Sequence, residues 1–572
     1  MLDEGNTKTS AGHLLPTTTA ALRPDQFTDG LFIAKTRKAA AITLVIFLLI
    51  GFALRVSQLG AESFSEDELN KFQTVEEYRS NGLSGKNGEH PFLMKGLQTI
   101  SVIAAENANS LFAPSPAFIS DEGALRFPLA LFGTLTGLLI FLLISELFGR
   151  SIGLVSAALW AVEPMAIGFD RIAKEDSLVL FFFLLTNLFW IRGQTAAERG
   201  RPSWTWYAWA AAASFAALMA SKYYPHLLAV PAAYYIIFQY LPTTKWRMET
   251  VRWLKFIGVM AVVFIILNPT ILLPETWREM LKFSTENRIG HDSYEYIGGL
   301  YPNKMSAWLA GVPWTFYYVF IAVKTSVSTL ILFLLGLPLM FRRKLGDGRF
   351  FIFFWAFFWF MPFTFLGGKF TRYFTLVEPL ILIAASVGFC VCLNWLANKL
   401  SERRLVSYVI QATLLLAFLA VPLWNSVHAS PHFRLFTNSV GGGMSAAGSY
   451  FPHDEFYDGA TRDIVANIAM RAAPLATIAC ESPSLYDFYS KKNGRPDLVF
   501  VSLSDKSKVA GLKSGDFVVL AKGRRYFSNA AYFEIFKDPM FRTEQIRMGH
   551  TVAATILQLD EETAAALRSV SN

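Results

Sequence analysis

Residues 39–58, AAAITLVIFLLIGFALRVSQ, determine the fold class of this 572-residue chain. Arg55 is the one charged residue in the stretch, and most of the others are apolar. A helix needs about 20 apolar residues to cross the roughly 30 Å hydrocarbon layer of a bilayer. The stretch therefore predicts a membrane-spanning helix.

Further apolar stretches of spanning length follow along the chain. They lie at 126–148, 151–168, 174–192, 204–220, 223–241, 254–273, 313–341, 349–367, 373–396 and 405–424. The stretch 313–341 is long enough to contain a break. Hydrophobic residues make up 53% of the chain and aromatic residues 15%, which favours lipid-facing and interfacial positions over a soluble core. We therefore predict a polytopic α-helical membrane protein with about 11 transmembrane helices.

Basic residues between the apolar stretches predict the orientation of the chain. With this set of spans, the basic groups fall on one side of the membrane: Lys35/Arg37/Lys38, Arg150, Arg192/Arg199/Arg201, Lys245/Arg247/Arg252/Lys255, Arg342/Arg343/Lys344 and Lys399/Arg403/Arg404. The positive-inside rule makes that side cytoplasmic. The N-terminus is then cytoplasmic, and the long loops 59–125 and 274–312 are extracytoplasmic. The basic cytoplasmic loops explain the net charge of +8 without a nucleic-acid partner.

The N-terminal residues 1–38 differ from the apolar segment that follows. They are polar and contain threonine-rich patches, so we predict a disordered cytoplasmic leader before a transmembrane domain at 39–424. The sequence has no usable glycosylation sequon, because a proline excludes Asn268-Pro269-Thr270, and this favours a bacterial inner (plasma) membrane protein. The three cysteines offer no disulfide framework or zinc spacing.

Residues 425–572 have the composition of a soluble domain. Short apolar runs at 475–479, 498–501, 517–520 and 552–557 predict buried strands, and residues 459–472 predict a helix. We therefore predict a C-terminal soluble α/β domain of ordinary size on the extracytoplasmic side. The domain carries no catalytic motif, and a packing or acceptor-recruiting role is predicted for it.

The outer loop 59–125 contains the acidic stretch Ser65-Glu66-Asp67-Glu68. Adjacent carboxylates raise one another's pKa, and low-dielectric surroundings increase that cost. A solvated acidic loop and a functional cluster both fit this stretch taken alone. In the same loop, residues 97–113 are apolar but too short and interrupted to span a bilayer, so we predict an interfacial helix.

Ionisable residues recur at the outer membrane edge, where each is costly. They are Asp67, Glu68, His90, Lys95, Arg126, Glu163, Asp170, Arg171, Asp176, Lys222, Lys324, Lys369, Arg372 and Glu378. Snorkelling anchors and structural ion pairs would explain most single members of this set. They explain less well why acids and bases collect on one side. Carboxylates beside several cations suit a lipid-linked anionic substrate, with cations holding a phosphate and a carboxylate acting as general base.

Several motifs resemble those of the protein O-mannosyltransferases and their bacterial relatives, which include the lipid A aminoarabinose transferases. Asp67-Glu68 and His90-Pro91-Phe92-Leu93-Met94-Lys95 resemble the family's Asp-Glu and His-Pro-Pro-Leu-x-Lys patterns. Later similarities are Arg126-Phe127-Pro128 with Gly133, Glu163-Pro164, Arg171 to Ser177, Pro313-Trp314, Lys324-Thr325, and Lys369-Phe370-Thr371-Arg372-Tyr373 with Pro379. The resemblance covers about residues 40–395 and implies the GT-C fold.

The resemblance implies a glycosyltransferase that takes a sugar from a polyprenyl-phosphate donor outside the cytoplasm. Asp67 matches the family's catalytic base for inverting attack, and Glu68 would support it. The donor phosphate would be bound by Lys95, Arg126, Lys369 and Arg372. Residues that would shape the site or hold the acceptor are His90, Glu163, Arg171, Asp176, His291 and Tyr373.

Two departures from the family pattern leave the acceptor class open. Phe92 replaces the second proline of the His-Pro-Pro motif, and His291 is the only histidine of the second outer loop. Protein O-mannosylation is the leading expectation, and transfer to lipid A or to a cell-envelope glycan is the alternative. A lipid or solute transporter is the rival from another class, but the paired repeats typical of transporters are not found. A scaffold that keeps the fold without the activity is a third.

No cofactor follows from the sequence with certainty. Asp67, Glu68 and His90 could hold a divalent metal ion together with His291, because oxygen and imidazole ligands suit several metals. Their spacing is not diagnostic. The expected partners are the polyprenyl-phosphate sugar donor, the acceptor and the membrane lipids.

Overall fold

A computed structural model describes most of the chain. The described residues are 34, 36–112, 118–240, 249–285, 291–305, 307–399, 404–536 and 543–571. The predicted leader at 1–38 lies almost wholly outside them.

Among the described residues, the part of the chain up to residue 429 is mainly helical. Its α-helices are α1 (Arg37–Val56), α2 (Glu66–Asn81), α3 (Phe92–Phe112), α4 (Asp121–Phe148), α5 (Arg150–Val162), α6 (Pro164–Asp170), α7 (Asp176–Glu198), α8 (Trp204–Ser221), α9 (Ala229–Tyr240), α10 (Thr250–Leu267), α11 (Pro274–Thr285), α12 (Phe316–Lys324), α13 (Val327–Leu339), α14 (Gly348–Trp355), α15 (Met361–Phe365), α16 (Glu378–Lys399) and α17 (Arg404–Ala429). A π-helical turn, Ala356–Phe360, joins α14 to α15. A short antiparallel hairpin of β1 (Ser293–Tyr296) and β2 (Gly299–Pro302) lies in the second outer loop.

The long apolar helices confirm a polytopic membrane protein. Among the described residues, seven segments are long and apolar enough to cross a bilayer: α1, α4, α7, α10, Gly348–Phe365, α16 and most of α17. The helices α5 and α6 make an eighth if taken together, with a bend of 65° between them. The other predicted spans, 204–220, 223–241 and 313–341, correspond to α8, α9 and the pair α12–α13, which are shorter or less apolar.

Two other sequence predictions are confirmed in this part of the chain. The stretch 313–341 is broken at Thr325 and Ser326, which separate α12 from α13. The apolar residues 97–113 are indeed helical, because α3 covers nearly all of them.

Close contact between helices α13 and α16 depends on glycine. A Cβ atom added to Gly336 would lie 1.8 Å from the carbonyl oxygen of Ala384, and one on Gly388 would lie 2.4 Å from that of Leu332. Small residues allow helix backbones to approach in this way inside a membrane domain. Most of α16 is buried, so this contact lies within the helical core.

The C-terminal part has the predicted α/β character. Its α-helices are α18 (Pro452–Phe456), α19 (Thr461–Ala469), α20 (Pro483–Lys492), α21 (Lys506–Ala510), α22 (Ala530–Ile535) and α23 (Glu561–Ser571). Its strands are β3 (Thr477–Cys480), β4 (Val499–Ser502), β5 (Phe517–Ala521), β6 (Thr543–Met548) and β7 (Thr551–Gln558).

These strands form one mixed sheet in the order β4-β3-β5-β7-β6. β3 is parallel to both β4 and β5, whereas β7 is antiparallel to β5 and β6. The four strands that the apolar runs predicted are all present. β6 was not predicted, because its alternating polar residues keep one face accessible to solvent.

The C-terminal part packs directly on the first outer loop. Phe64 and Leu69 share one buried apolar cluster with Ile464, Ile478 and Leu485 of the C-terminal part. The hydroxyl of Tyr489 accepts a hydrogen bond from the Phe64 amide at 2.6 Å. The acidic stretch therefore lies between the membrane helices and the C-terminal sheet.

Replacing Gly336 with alanine should lower the stability of the helical core. Overpacking in a close-packed interior costs about 1–3 kcal/mol, and here the obstacle is backbone, which cannot rotate away. We expect Gly336→Ala to reduce the melting temperature of the purified protein in detergent.

Gly258→Ala in α10 is the matched control, because a Cβ there meets nothing within 4 Å. The higher helix propensity of alanine should stabilise this variant by about 1 kcal/mol at most. Equal melting temperatures for the two variants would contradict the close approach of α13 and α16.

Candidate active site

The acidic stretch begins a helix. Ser65 caps α2: its hydroxyl accepts a hydrogen bond from the Glu68 amide at 3.2 Å, and the Glu68 carboxylate accepts one from the Ser65 amide at 2.9 Å. This capping box explains why acids follow serine here, since carboxylates are also favourable at the positive end of the helix dipole. Glu66, Asp67 and Glu68 point to three different sets of partners, so the stretch is not a solvated loop.

Glu68 forms a buried pair with Arg126. The guanidinium donates to both carboxylate oxygens of Glu68, at 2.8 and 2.7 Å. Its remaining N–H groups donate to the carbonyls of Leu59, Glu62 and Ser63, so all five donors of the arginine are used. Both side chains are almost completely buried. Arg126 was predicted to bind the donor phosphate, but these bonds give it a structural position.

Asp67 is accessible to solvent, with a side chain that is 42% exposed, as is Glu66 at 40%. Lys174 lies 2.5 Å from its Oδ2 atom, the Tyr457 hydroxyl donates to the same atom at 3.3 Å, and Arg372 is 3.9 Å away. Among the described residues, no contact of hydrogen-bond length reaches Oδ1. One oxygen is thus anchored, and the other is free to accept a proton.

Charges around Asp67 keep it ionised. Removal from water would raise the pKa of Asp67, but Lys174, Arg372 and Lys71 hold it well below its ordinary value. Burial lowers the pKa of Lys174 to about 8, against the attraction of Asp67. The lysine is therefore the member of the pair that titrates near neutral pH.

Further ion pairs involve Glu175 and Asp176, which follow Lys174 directly in the sequence. Glu175 lies 3.1 Å from Lys71 and 3.2 Å from the imidazole of His90. Asp176 lies 2.9 Å from Lys222. Lys174, Glu175 and Asp176 are consecutive, so the end of the loop between α6 and α7 and the first residue of α7 bring three charged pairs together, which include the predicted residues Asp67, His90 and Asp176.

Arg372 closes the other side of the site. Its guanidinium lies over the rings of Phe370 and Tyr373, at 4.3 and 5.5 Å from their centroids, and is 3.8 Å from Asp454. Lys222 also faces the Tyr373 ring, at 5.2 Å. The predicted residues Arg372 and Tyr373 are therefore placed beside Asp67.

Glu66 and His291 meet at the outer edge of the site. Glu66 accepts a hydrogen bond from Arg524 at 3.3 Å and is 3.8 Å from His291. His291 stacks on Tyr526 with a centroid distance of 4.1 Å, and its Nε2 lies 2.6 Å from Arg524. Burial and the neighbouring Arg524 lower the pKa of His291 to about 3, so the neutral ring accepts a hydrogen bond from the arginine.

Lys95 and Lys369, which were predicted to bind phosphate, both bond to backbone. The ammonium of Lys95 donates to the carbonyls of Lys86 and Asn87, and that of Lys369 donates to Leu366. Both side chains are buried. Either lysine would have to exchange these carbonyls for a phosphate, so their predicted role stays a prediction.

Glu163 and Arg171 do not contact Asp67. Each of them joins helices elsewhere in the helical part. Glu163 accepts hydrogen bonds from the Ser326 amide at 2.5 Å and the Thr329 hydroxyl at 3.3 Å, which fixes the break between α12 and α13. Arg171 donates to carbonyls in the last turn of α1 and just after it: Leu54, Arg55, Ser57 and Gln58. These contacts give both residues a site-shaping position at most.

The four candidate metal ligands do not converge. Glu68 is paired with Arg126, His90 contacts Glu175, and His291 contacts Arg524. Over the described ranges, no group of three or more His, Cys, Asp or Glu side chains has the arrangement of a metal site. The residues named for a divalent ion therefore do not fit one in this arrangement.

Sequence reasoning missed several residues around the acidic stretch: Lys174 and Tyr457 contact Asp67, and Arg524 contacts Glu66. Lys174 lies within the motif from Arg171 to Ser177, but the motif alone did not assign it a role. Tyr457 and Arg524 come from the C-terminal part, which offered no catalytic motif. No local signal could have found Tyr457, because it is separated from Asp67 by 390 residues.

A separate apolar cavity of about 840 Å³ lies between the end of α1, α3 and α4. Ile100, Phe127 and Leu131 are among its lining residues. Asp67 and the cations around it do not line this cavity, so it is distinct from the candidate site.

Comparison with known families supports the predicted resemblance. Residues 117–272 match the family described as dolichyl-phosphate-mannose-protein mannosyltransferase. This segment includes α4 to α10 and carries Arg126, Glu163, Lys174 and Lys222. The resemblance to the GT-C glycosyltransferases is confirmed there. No curated protein matches the chain.

Three solved structures are similar to the chain in outline. ArnT from Cupriavidus metallidurans bound to undecaprenyl phosphate has 14% identity and a TM-score of 0.45, covering 90% of this chain and 97% of that one. AglB, the oligosaccharyltransferase of Archaeoglobus fulgidus, in complex with an inhibitory peptide and a dolichol-phosphate, has 10% identity and a TM-score of 0.49, covering 84% and 69%. The arabinofuranosyltransferase AftD from Mycobacteria has 12% identity and a TM-score of 0.40, covering 92% and 40%. At these TM-scores the similarity carries no argument about the reaction of this chain.

Removing Arg126 should destabilise the protein because it leaves Glu68 buried without its partner. Breaking a buried pair on one side costs about 3–5 kcal/mol. We expect Arg126→Gln to lower the melting temperature strongly in detergent.

Arg79→Gln serves as the control, because Arg79 pairs with Glu76 and Glu106 on a partly exposed surface. Such exposed pairs contribute about 0–1 kcal/mol. A variant Arg126→Gln with the melting temperature of the native protein and a lower affinity for the donor would contradict the structural role. It would support the predicted binding of the donor phosphate by Arg126.

Proposed function

We propose that the chain is a membrane glycosyltransferase that moves a sugar from a polyprenyl-phosphate donor to an acceptor hydroxyl on the extracytoplasmic side. The observation that carries the proposal is Asp67, with one carboxylate oxygen anchored by Lys174 and the other free. The match of residues 117–272 to a mannosyltransferase family supports it.

Asp67 is the general base in this proposal. Its free Oδ1 atom accepts the proton of an acceptor hydroxyl as that oxygen attacks the anomeric carbon of the donor sugar. The new bond from carbon to oxygen forms as the bond to the polyprenyl phosphate breaks on the opposite face. Configuration at the anomeric carbon is therefore inverted. The proton remains on Asp67 until it passes to water.

The cations beside Asp67 would stabilise the leaving phosphate. Arg372 and Lys222 face the same aromatic ring, Tyr373, and Lys174 lies against the carboxylate itself. Charge-assisted hydrogen bonds to a phosphate strengthen as negative charge develops on it, so cations held in advance accelerate the transfer. Lys95 and Lys369 join this set if their backbone contacts are exchanged for the donor.

The family match favours mannose as the sugar and a protein as the acceptor. Lipid A and cell-envelope glycans are the other acceptors. Envelope fractions from cells with and without this chain distinguish them. Loss of hexose from secreted proteins supports O-mannosylation, whereas a change confined to lipid or polysaccharide supports the other acceptors.

Asp67→Asn should abolish most of the transfer, because an amide cannot take the acceptor proton. Radiolabelled mannose on undecaprenyl phosphate is the donor probe, and an envelope fraction from cells lacking this chain is the acceptor. General base catalysis is worth about 10²–10⁴-fold in rate, and we expect a loss of that order in kcat.

Glu66→Gln is the matched control, since Glu66 is the preceding carboxylate in the same helical turn and faces Arg524 instead. Its kcat should stay within a few-fold of the native protein. Native-like turnover of purified Asp67→Asn would remove Asp67 as the base.

The alkaline limb of the pH profile should report on Lys174. Its pKa is lowered to about 8, so the ammonium is protonated below that pH and loses its proton as the pH rises through it. Asp67 then loses its closest cation. We expect kcat to fall as the pH rises through about 8.

Lys174→Arg tests this assignment, because arginine stays charged at every pH used. The alkaline limb should move to higher pH in this variant. An unchanged limb would assign the titration to another group.

A further inference from the structure

The turn between α18 and α19 holds two residues in an unfavourable backbone conformation. Tyr457 has φ 45° and Asp458 has φ 60°, and neither is glycine. Bulky residues such as tyrosine are strained in this left-handed region, whereas aspartate adopts it more readily. Such strain persists where surrounding contacts fix it, and it is concentrated at functional sites.

The strained turn docks on the strip of chain that leads into Asp67. The Ser63 amide donates to the carbonyl of Gly459 at 3.0 Å, and the Ser63 hydroxyl donates to that of Asp458 at 2.9 Å. The Glu66 amide donates to the Asp458 carboxylate at 3.2 Å. The turn is therefore fixed to the first turn of α2.

Asp458 is itself held from the opposite side. Arg524 donates to both of its carboxylate oxygens, so one carboxylate joins the C-terminal sheet to the amide of Glu66. Burial would raise the pKa of Asp458, but Arg524 lowers it overall. The carboxylate stays ionised and continues to accept both sets of hydrogen bonds.

The conformation of the turn carries the Tyr457 hydroxyl to Asp67. It donates to Oδ2 at 3.3 Å, the atom that Lys174 also contacts, while the guanidinium of Arg434 lies 5.1 Å from the centroid of the tyrosine ring. Burial and the carboxylate of Asp67 raise the pKa of Tyr457 well above its ordinary value, so the hydroxyl remains a donor.

We propose that Tyr457 is a positioning residue of the transfer reaction and that the C-terminal part thereby completes the active site. It fixes the rotation of the Asp67 carboxylate, so that Oδ2 stays with Lys174 and Oδ1 faces the acceptor. Without this hydroxyl, Lys174 would be the one described residue within hydrogen-bond distance of the carboxylate, with Arg372 at 3.9 Å, and the carboxylate could turn and present either oxygen. This inference rests on the proposed role of Asp67 as base.

Tyr457→Phe tests the proposal because it removes the hydroxyl and keeps the ring beside Arg434. We expect kcat to fall about tenfold or more, since a misoriented base loses part of the about 10²–10⁴-fold that general base catalysis contributes. The KM for undecaprenyl-phosphate mannose should stay within twofold, because the cations that hold phosphate are untouched. The melting temperature should stay close to that of the native protein.

Tyr489→Phe is the matched control from the same interface. Its hydroxyl accepts a hydrogen bond from the Phe64 amide and donates to Glu122 at 2.8 Å, but it does not contact Asp67. The control should retain kcat within twofold even if docking weakens. An equal loss of kcat in both variants would overturn the proposal and leave a docking role only.

A native kcat in Tyr457→Phe would also overturn the proposal. Should that protein fail to fold, Tyr457→His replaces it: histidine tolerates the left-handed region better than most residues, but its ring is too short to reach Asp67. The same loss of kcat is expected, and a native kcat would again overturn the proposal.

Asp67→Asn separates this inference from the function on which it rests. An inactive Asp67→Asn together with an unaffected Tyr457→Phe contradicts only the positioning role. A fully active Asp67→Asn contradicts the proposed base, and the inference falls with it.

Discussion

The buried pair of Glu68 and Arg126 is the interaction on which the site depends. Glu68 caps α2, accepts a hydrogen bond from the Ala173 amide at 2.7 Å and receives two from Arg126, the latter near the start of α4. One carboxylate therefore joins the first outer loop, the loop before α7 and a membrane helix. Two buried charges are stable only when their hydrogen bonds are complete, and here all donors of the arginine are used.

This pair explains the difference between three neighbouring acids. Glu68 is turned inward by the helix cap, and Asp67, one residue earlier, faces the site, where Lys174 and Arg372 reach it. Glu66 is turned towards the C-terminal part and meets Arg524. Successive residues of a helix point about 100° apart. In one turn of α2, Glu68 therefore stabilises the fold, Asp67 faces the site, and Glu66 contacts the C-terminal part.

The C-terminal part has more contact with the site than a packing role requires. Its turn at Tyr457 and Asp458 is bonded to the strip that leads into α2, and Arg524 reaches both Glu66 and His291. The predicted role in acceptor recruitment remains a prediction. The C-terminal part also contacts the site directly, because Tyr457 donates a hydrogen bond to Asp67.

The sequence by itself determined the elements that depend on local chemistry. Apolar length predicted the membrane helices, short apolar runs predicted four of the five strands of the C-terminal sheet, and motif resemblance selected Asp67, Arg372 and His90. Tertiary structure alone decided which side chains meet. Arg126 is committed to Glu68 rather than exposed for phosphate, and Lys174 and Tyr457 are the partners of Asp67. Contacts between residues far apart in sequence depend on how helices and sheet pack, and no local pattern records that packing.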